Sequence, residues 1–226
     1  MRSTIRCEDV LGPLDEVGRK YAPELLHVEG DLDLLRNTSR VSIVGSRKAS
    51  QLGLRRASKL AAGLVEHNVV VVSGLAVGID HAAHLSAIKW EGRTIAVLAT
   101  PLDRAYPKEH AELQEELARS NLLVTQFGPG AQTGRWSFPA RNRTMALLTH
   151  ATVIVEAGNS SGSLHQGWEA IRLGRPLFFM QSVLADPTLE WPRKMMDYGA
   201  KPLDSIEALL EEIPSADAIT QKVDDL

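Results

Sequence analysis

The 226-residue sequence predicts an α/β protein with a doubly wound, mostly parallel sheet and helices on both faces. Three observations predict it. Short apolar runs alternate with helical patterns along most of the chain, the rhythm of a parallel sheet. The runs are continuous rather than alternating, as in Val69 to Val72, which suits strands buried on both faces. Three of them lead straight into a glycine- and serine-rich turn and then a helix, which aims backbone N–H groups at the crevice beyond the strand ends.

Taken in order, residues 1–38 read as an N-terminal extension packing on the core. Pro13 and Pro23 break its helical pattern, Leu25 to Val28 suits a short edge strand, and Asp31 suits the cap of a brief helix through Leu35. A core domain over 39–213 follows, with strand 41–45, helix 50–67, strand 69–73, helix 79–91, strand 94–99, helix 107–120 and strand 121–125. Residues 127–139 then interrupt the rhythm with three glycines, two prolines, Trp136 and Phe138, a composition expected of a binding loop or lid. Helix 140–150, strand 152–156, helix 162–173 and strand 176–180 resume it, a last helix covers 204–213, and 214–226 reads as a flexible tail.

Composition narrows the class. Hydrophobic and charged fractions of 44% and 23% are those of an ordinary globular protein. The single cysteine, Cys7, excludes an internal disulfide and a cysteine-based zinc site. No apolar run reaches the length of a membrane span, so no membrane is expected as a partner and a cytoplasmic location is the default. With a formal net charge of −3 the chain is no general polyanion coat, and any positive surface has to be local.

The candidate chemistry gathers at the turns. Gly45, Ser46 and Arg47 follow the first strand, Ser73 and Gly74 the second, and Ser161, Gly162 and Ser163 close the turn after strand 152–156. Amide and hydroxyl donors there suit phosphate, and the same serines equally suit helix caps, since a cap and an anion site share geometry. Arg141, Asn142 and Arg143 follow the loop at a helix start, and with Arg47 they offer guanidinium forks for phosphate. Trp136 reads equally as a base platform and as a core plug, whereas Phe138 reads first as packing. Asp80 is expected to order the second turn. His81 and His84 share a helix face without further metal ligands, and a packing role is expected of them. Tyr106-Pro107 reads as a pivot into the following helix.

These residues together resemble the DNA-processing protein A family (DprA, or Smf). The resemblance rests on Ile43-Val44-Gly45-Ser46-Arg47, on Ser73 to Asp80 with His84, and on Leu102-Asp103 with Tyr106-Pro107. It continues through Phe138-Pro139-Ala140-Arg141-Asn142-Arg143, Val155-Glu156-Ala157, Ser161-Gly162-Ser163, Gly174-Arg175-Pro176 and Gly199-Ala200. It implies an extended Rossmann-like fold that binds single-stranded DNA in a basic pocket, dimerises, and loads a RecA-class recombinase on incoming DNA. It also implies a member reduced to the core domain. The chain departs from the family pattern at Pro101, Thr125-Gln126, His165-Gln166 and Gln181-Ser182, all expected at the pocket edge.

The expected function is therefore non-catalytic binding of single-stranded DNA in DNA processing, by Gly45, Ser46, Arg47, Ser73, Gly74, Phe138, Arg141, Asn142, Arg143, Ser161, Gly162 and Ser163, with no cofactor or metal. Two alternatives use the same pocket: a small-nucleotide sensor, and a nucleoside-monophosphate phosphoribohydrolase. The chain is distantly similar to phosphoribohydrolases of the lysine-decarboxylase-like type, but aligning Gly162-Ser163 on their glycine turn puts Gln166 where they carry a catalytic glutamate. A glutamine supplies no charge to an oxocarbenium-like centre.

Overall fold

The computed structural model describes residues 1–216, 218 and 219; of the expected tail, residues 217 and 220–226 lie outside the described residues. The chain runs β1 (Arg2–Arg6), α1 (Glu8–Leu11), α2 (Glu16–Tyr21), β2 (Leu25–Gly30), β3 (Arg40–Val44), α3 (Gln51–Glu66), β4 (Val70–Ser73) and α4 (Ile79–Lys89). It continues with β5 (Thr94–Val97), α5 (Ala111–Ser120), β6 (Leu122–Thr125), α6 (Ser137–Leu148), β7 (Ala151–Ile154) and α7 (Ser163–Arg172). The last elements are β8 (Leu177–Met180), α8 (Gln181–Leu184), α9 (Trp191–Met196), β9 (Lys201–Leu203) and α10 (Ile206–Leu210).

The nine strands of the described residues form one sheet in the order β1-β2-β6-β5-β4-β3-β7-β8-β9. The pairs from β6 through to β9 are parallel, and β1–β2 and β2–β6 are antiparallel. The core follows the expected α/β plan. The N-terminal segment does not simply pack on it: β1 and β2 extend the sheet itself, and β2 is an interior strand rather than an edge. Its register pairs Val28 with Val124 of β6. That placement buries Leu26 and Val28, which a free edge would leave wet.

The valine run divides between the two faces, as the period of a strand demands. Val70 and Val72 join the cluster built with Met145, Leu148 and Phe179, under α6 and α9. Val69 and Val71 join the opposite cluster with Leu60, Leu64 and Ile79, under α3 and α4. Each such side chain removed from water contributes about 1.5–3 kcal/mol. In α3, Ala57, Leu60, Ala61 and Leu64 recur at helical spacing and are buried, and the Ser50 hydroxyl accepts from Gly53 N at 3.0 Å to cap the start. Helix α6 begins at Ser137, three residues earlier than the sequence pattern indicates, so part of the expected loop is helical. The first two β8-to-β9 helices, α8 and α9, are short and were not expected; Trp191 anchors α9 by donating from Nε1 to Ala157 O at 3.1 Å.

Candidate nucleic-acid interface

Strand β3 is flanked by β4 on one side and β7 on the other, so the winding reverses there. Crevices at such reversals, outside the carboxyl ends of the strands, are where open α/β sheets bind ligands. Here the turns leaving β3 and β7 are stitched together: Ser46 N donates to Glu156 O at 2.7 Å. A side chain at position 45 would sit 2.9 Å from that same carbonyl, which is why glycine occupies it.

Between these turns and α6 lies a groove of about 490 Å³. Of the expected site residues it brings together Gly45, Ser46, Arg47, Phe138, Arg141, Asn142, Ser161, Gly162 and Ser163. Arg47 and Lys48 are exposed, and among the described residues neither forms an ion pair. The Arg47 guanidinium lies over the Phe138 ring, 5.0 Å from its centroid. Phe138 is thus half-buried groove wall and a seat for a cation rather than plain core packing. Asn142 reaches across and donates from Nδ2 to Gly162 O at 3.1 Å, holding the third turn against α6.

Three expected residues are not in the groove. Ser73 is fully buried, its hydroxyl donating to Ile43 O at 2.6 Å, because it still belongs to the central strand β4. Gly74 lines a smaller adjoining cleft of about 70 Å³, where a Cβ would run into the Arg141 guanidinium. Arg143 is held elsewhere: its Nε lies 3.4 Å from Glu169 Oε2, and its guanidinium covers Tyr21 at 4.9 Å. Positions 141 and 143 stand about 200° apart around a helix, so they do not face one ligand together.

The three glycine turns also prove unequal. At the first, Ser50 N and its hydroxyl donate to the two carboxylate oxygens of Glu156, at 2.8 and 2.5 Å, so the start of α3 carries an internal anion. At the second, Gly74 N and Ala76 N donate to Asp80 Oδ2 at 3.2 and 3.4 Å, the ordering role expected of Asp80. Only the turn before α7 has no carboxylate on it among the described residues; its Ser161 and Ser163 hydroxyls lie 2.7 Å apart. Arg141 is buried on the groove floor with Nη1 donating to Val97 O at 2.9 Å. Burial pushes the Asp80 carboxyl above the usual carboxylate range, against the pull of Arg141 and the two amides. Burial likewise lowers Arg141, against the pull of Asp80. The two sustain each other.

Sequence reasoning missed Lys48, which neighbours the motif without belonging to it, and Ser160. Gln166 is fully buried beneath the groove. In the amide orientation that satisfies both its ends it donates to Asn142 O at 2.6 Å and accepts from Ala146 N at 3.2 Å, tying α7 to α6.

Comparison with known proteins gives a consistent set. The family model for DNA recombination-mediator protein A matches residues 13–214. DNA processing protein DprA of Bacillus subtilis is 34% identical over 192 residues, 85% of this chain and 65% of that protein. The chain thus spans about two thirds of that relative's length. The X-ray structure of DNA processing protein A from Streptococcus pneumoniae gives a TM-score of 0.82 at 36% identity, covering 94% of this chain and 74% of that one. DNA processing protein A from Helicobacter pylori, a structure described for its single-stranded DNA binding mode, gives a TM-score of 0.76 at 26% identity. There the match covers 100% of this chain and 97% of the other.

Proposed function

This chain belongs to the DNA recombination-mediator protein A family, and from that membership we propose that it binds single-stranded DNA, without catalysis, in the groove between β3, β7 and α6. The observation that carries the proposal is Arg47: exposed, without an acid partner among the described residues, and stacked on Phe138 at the winding reversal. Cations for phosphates beside an aromatic face are the equipment of a single-strand binder. Phosphates would lie along Arg47, Lys48 and the turn from Ser160 to Ser163, which holds no internal carboxylate among the described residues. Handing the strand to a RecA-class recombinase, as a cytoplasmic homodimer in DNA uptake or recombination, completes the proposed role.

Against the phosphoribohydrolase alternative stand the places of three side chains of α7 and the β7 turn. Gln166 is spent on α6, Glu169 is bound by Arg143 and Arg172, and Glu156 is bound by Ser50. None is a free carboxylate facing the groove.

Titrating a labelled oligo-dT by fluorescence anisotropy over a salt series tests the proposal. Two cations contribute a slope of log K against log salt of about −1.4. Arg47→Ala should weaken binding by about 10-fold or more and roughly halve that slope, with thermal unfolding unchanged. Undiminished affinity in the variant overturns the reading. Tight binding of a mononucleotide with none of oligo-dT replaces it with a nucleotide sensor, and release of free base from a nucleoside monophosphate replaces it with an enzyme.

A further inference from the structure

An exposed aromatic, Tyr106, stands beside the groove. Tyr106 is 50% exposed. Its ring meets Phe138 at 5.3 Å between centroids with a 61° angle between planes, so an edge contact fixes it. Phe138 in turn has one face under the Arg47 guanidinium. The three side chains form a short series, Arg47 over Phe138 and Phe138 against Tyr106. Among the described residues Tyr106 makes no other ring or cation contact, and half of the residue stays accessible. It also lines the small cleft shared with Arg47, Gly74 and Arg141, whose volume of about 70 Å³ is too small to take a base inside. A base arriving there has to lie on the ring rather than enter the cleft.

Resting on the single-stranded DNA reading above, we propose that Tyr106 is the platform on which one base of the bound strand stacks, next to the phosphate held by Arg47. Trp136 is still more exposed, at 60%, but it packs edge-on against Phe127 and lines neither the groove nor the cleft. Tyr106 joins a half-exposed side chain to the groove's cation through Phe138. Stacking on a tyrosine tolerates any base, which agrees with a binder of unselected strands.

The test compares a short oligo-dT with an abasic deoxyribose-phosphate strand of equal length, on the full chain, by anisotropy. Tyr106→Ala should lose about 10-fold on oligo-dT and nothing on the abasic strand. Tyr106→Phe should keep full affinity, whereas Tyr106→Leu, which keeps apolar bulk without a π-face, should behave like alanine. Arg47→Ala should lose affinity for both strands. Unchanged oligo-dT binding in Tyr106→Ala, alongside the Arg47→Ala loss, overturns the platform and leaves the groove reading standing. Equal losses on both strands also overturn it, as a backbone contact. A parent chain that binds neither strand overturns both readings.

Discussion

Arg141 and Arg143 share one motif and have opposite fates. Arg141 lies on the groove floor facing Asp80, while Arg143 shares Glu169 with Arg172, whose Nη1 sits 2.8 Å from Glu169 Oε1. Arg143→Ala is therefore expected to leave single-strand affinity within about twofold while loosening the contact to Tyr21. Arg141→Ala is expected to cost about 3–5 kcal/mol of stability, because it strands the Asp80 carboxylate in the interior. Chemical denaturation and anisotropy on the same two variants check both outcomes; a large affinity loss in a well-folded Arg143→Ala would return that residue to the interface. The residue types and their order were legible in the sequence. Their spacing also shows that the two point to opposite sides of a helix; which of those sides turns toward the groove was not legible, because the packing of α6 against the sheet and α7 decides it.

At the scale of the element, each glycine turn was visible as a device, but its occupancy was not. Glu156 looked like the end of a strand, yet it is the anion on the start of α3, across 106 residues of sequence. Gly53 belongs to the same arrangement, since a Cβ there would strike the Glu156 carboxylate. Glu156→Gln keeps the shape and removes the charge. It is expected to cost about 1 kcal/mol, a fall in Tm of about 2–4 °C for a chain of this size, read by calorimetry. No change would mean that α3 does not depend on that charge. Strands β3 to β8 were readable because each is a short, mostly apolar and buried run. Strand β1, Arg-Ser-Thr-Ile-Arg, was not readable, because its exposed polar residues carry no pattern until β2 is beside it.

For the molecule as a whole, two histidines tie stability to pH. His84 is fully buried with Nδ1 2.7 Å from Thr94 Oγ1, and it is held down to about 3, by burial first and then by the charges of His81, His110 and Arg141. His150 is also held at about 3, by burial and then by Arg40 and Arg175. Both are neutral when folded and take up a proton more readily when unfolded. Stability is thus complete above the unfolded value near 6.5 and drains away as pH falls from there toward 3. At pH 5 the loss from His84 alone is about 2 kcal/mol. Denaturation midpoints at pH 7.5 and pH 5 should differ accordingly, and His84→Gln should narrow the gap; equal midpoints would refute the linkage.

The seam between β2 and β6 has one more consequence. Leu122 to Thr125 have β5 on one side, and it is the first thirty residues of the chain that close the other. Stripped of that cover, β6 would offer a greasy ribbon of unmated amides to any neighbouring molecule, an opening for clumping. The outermost strand instead carries Arg2, Ser3, Thr4 and Arg6 to the solvent, a charged hem that keeps strangers from stitching on.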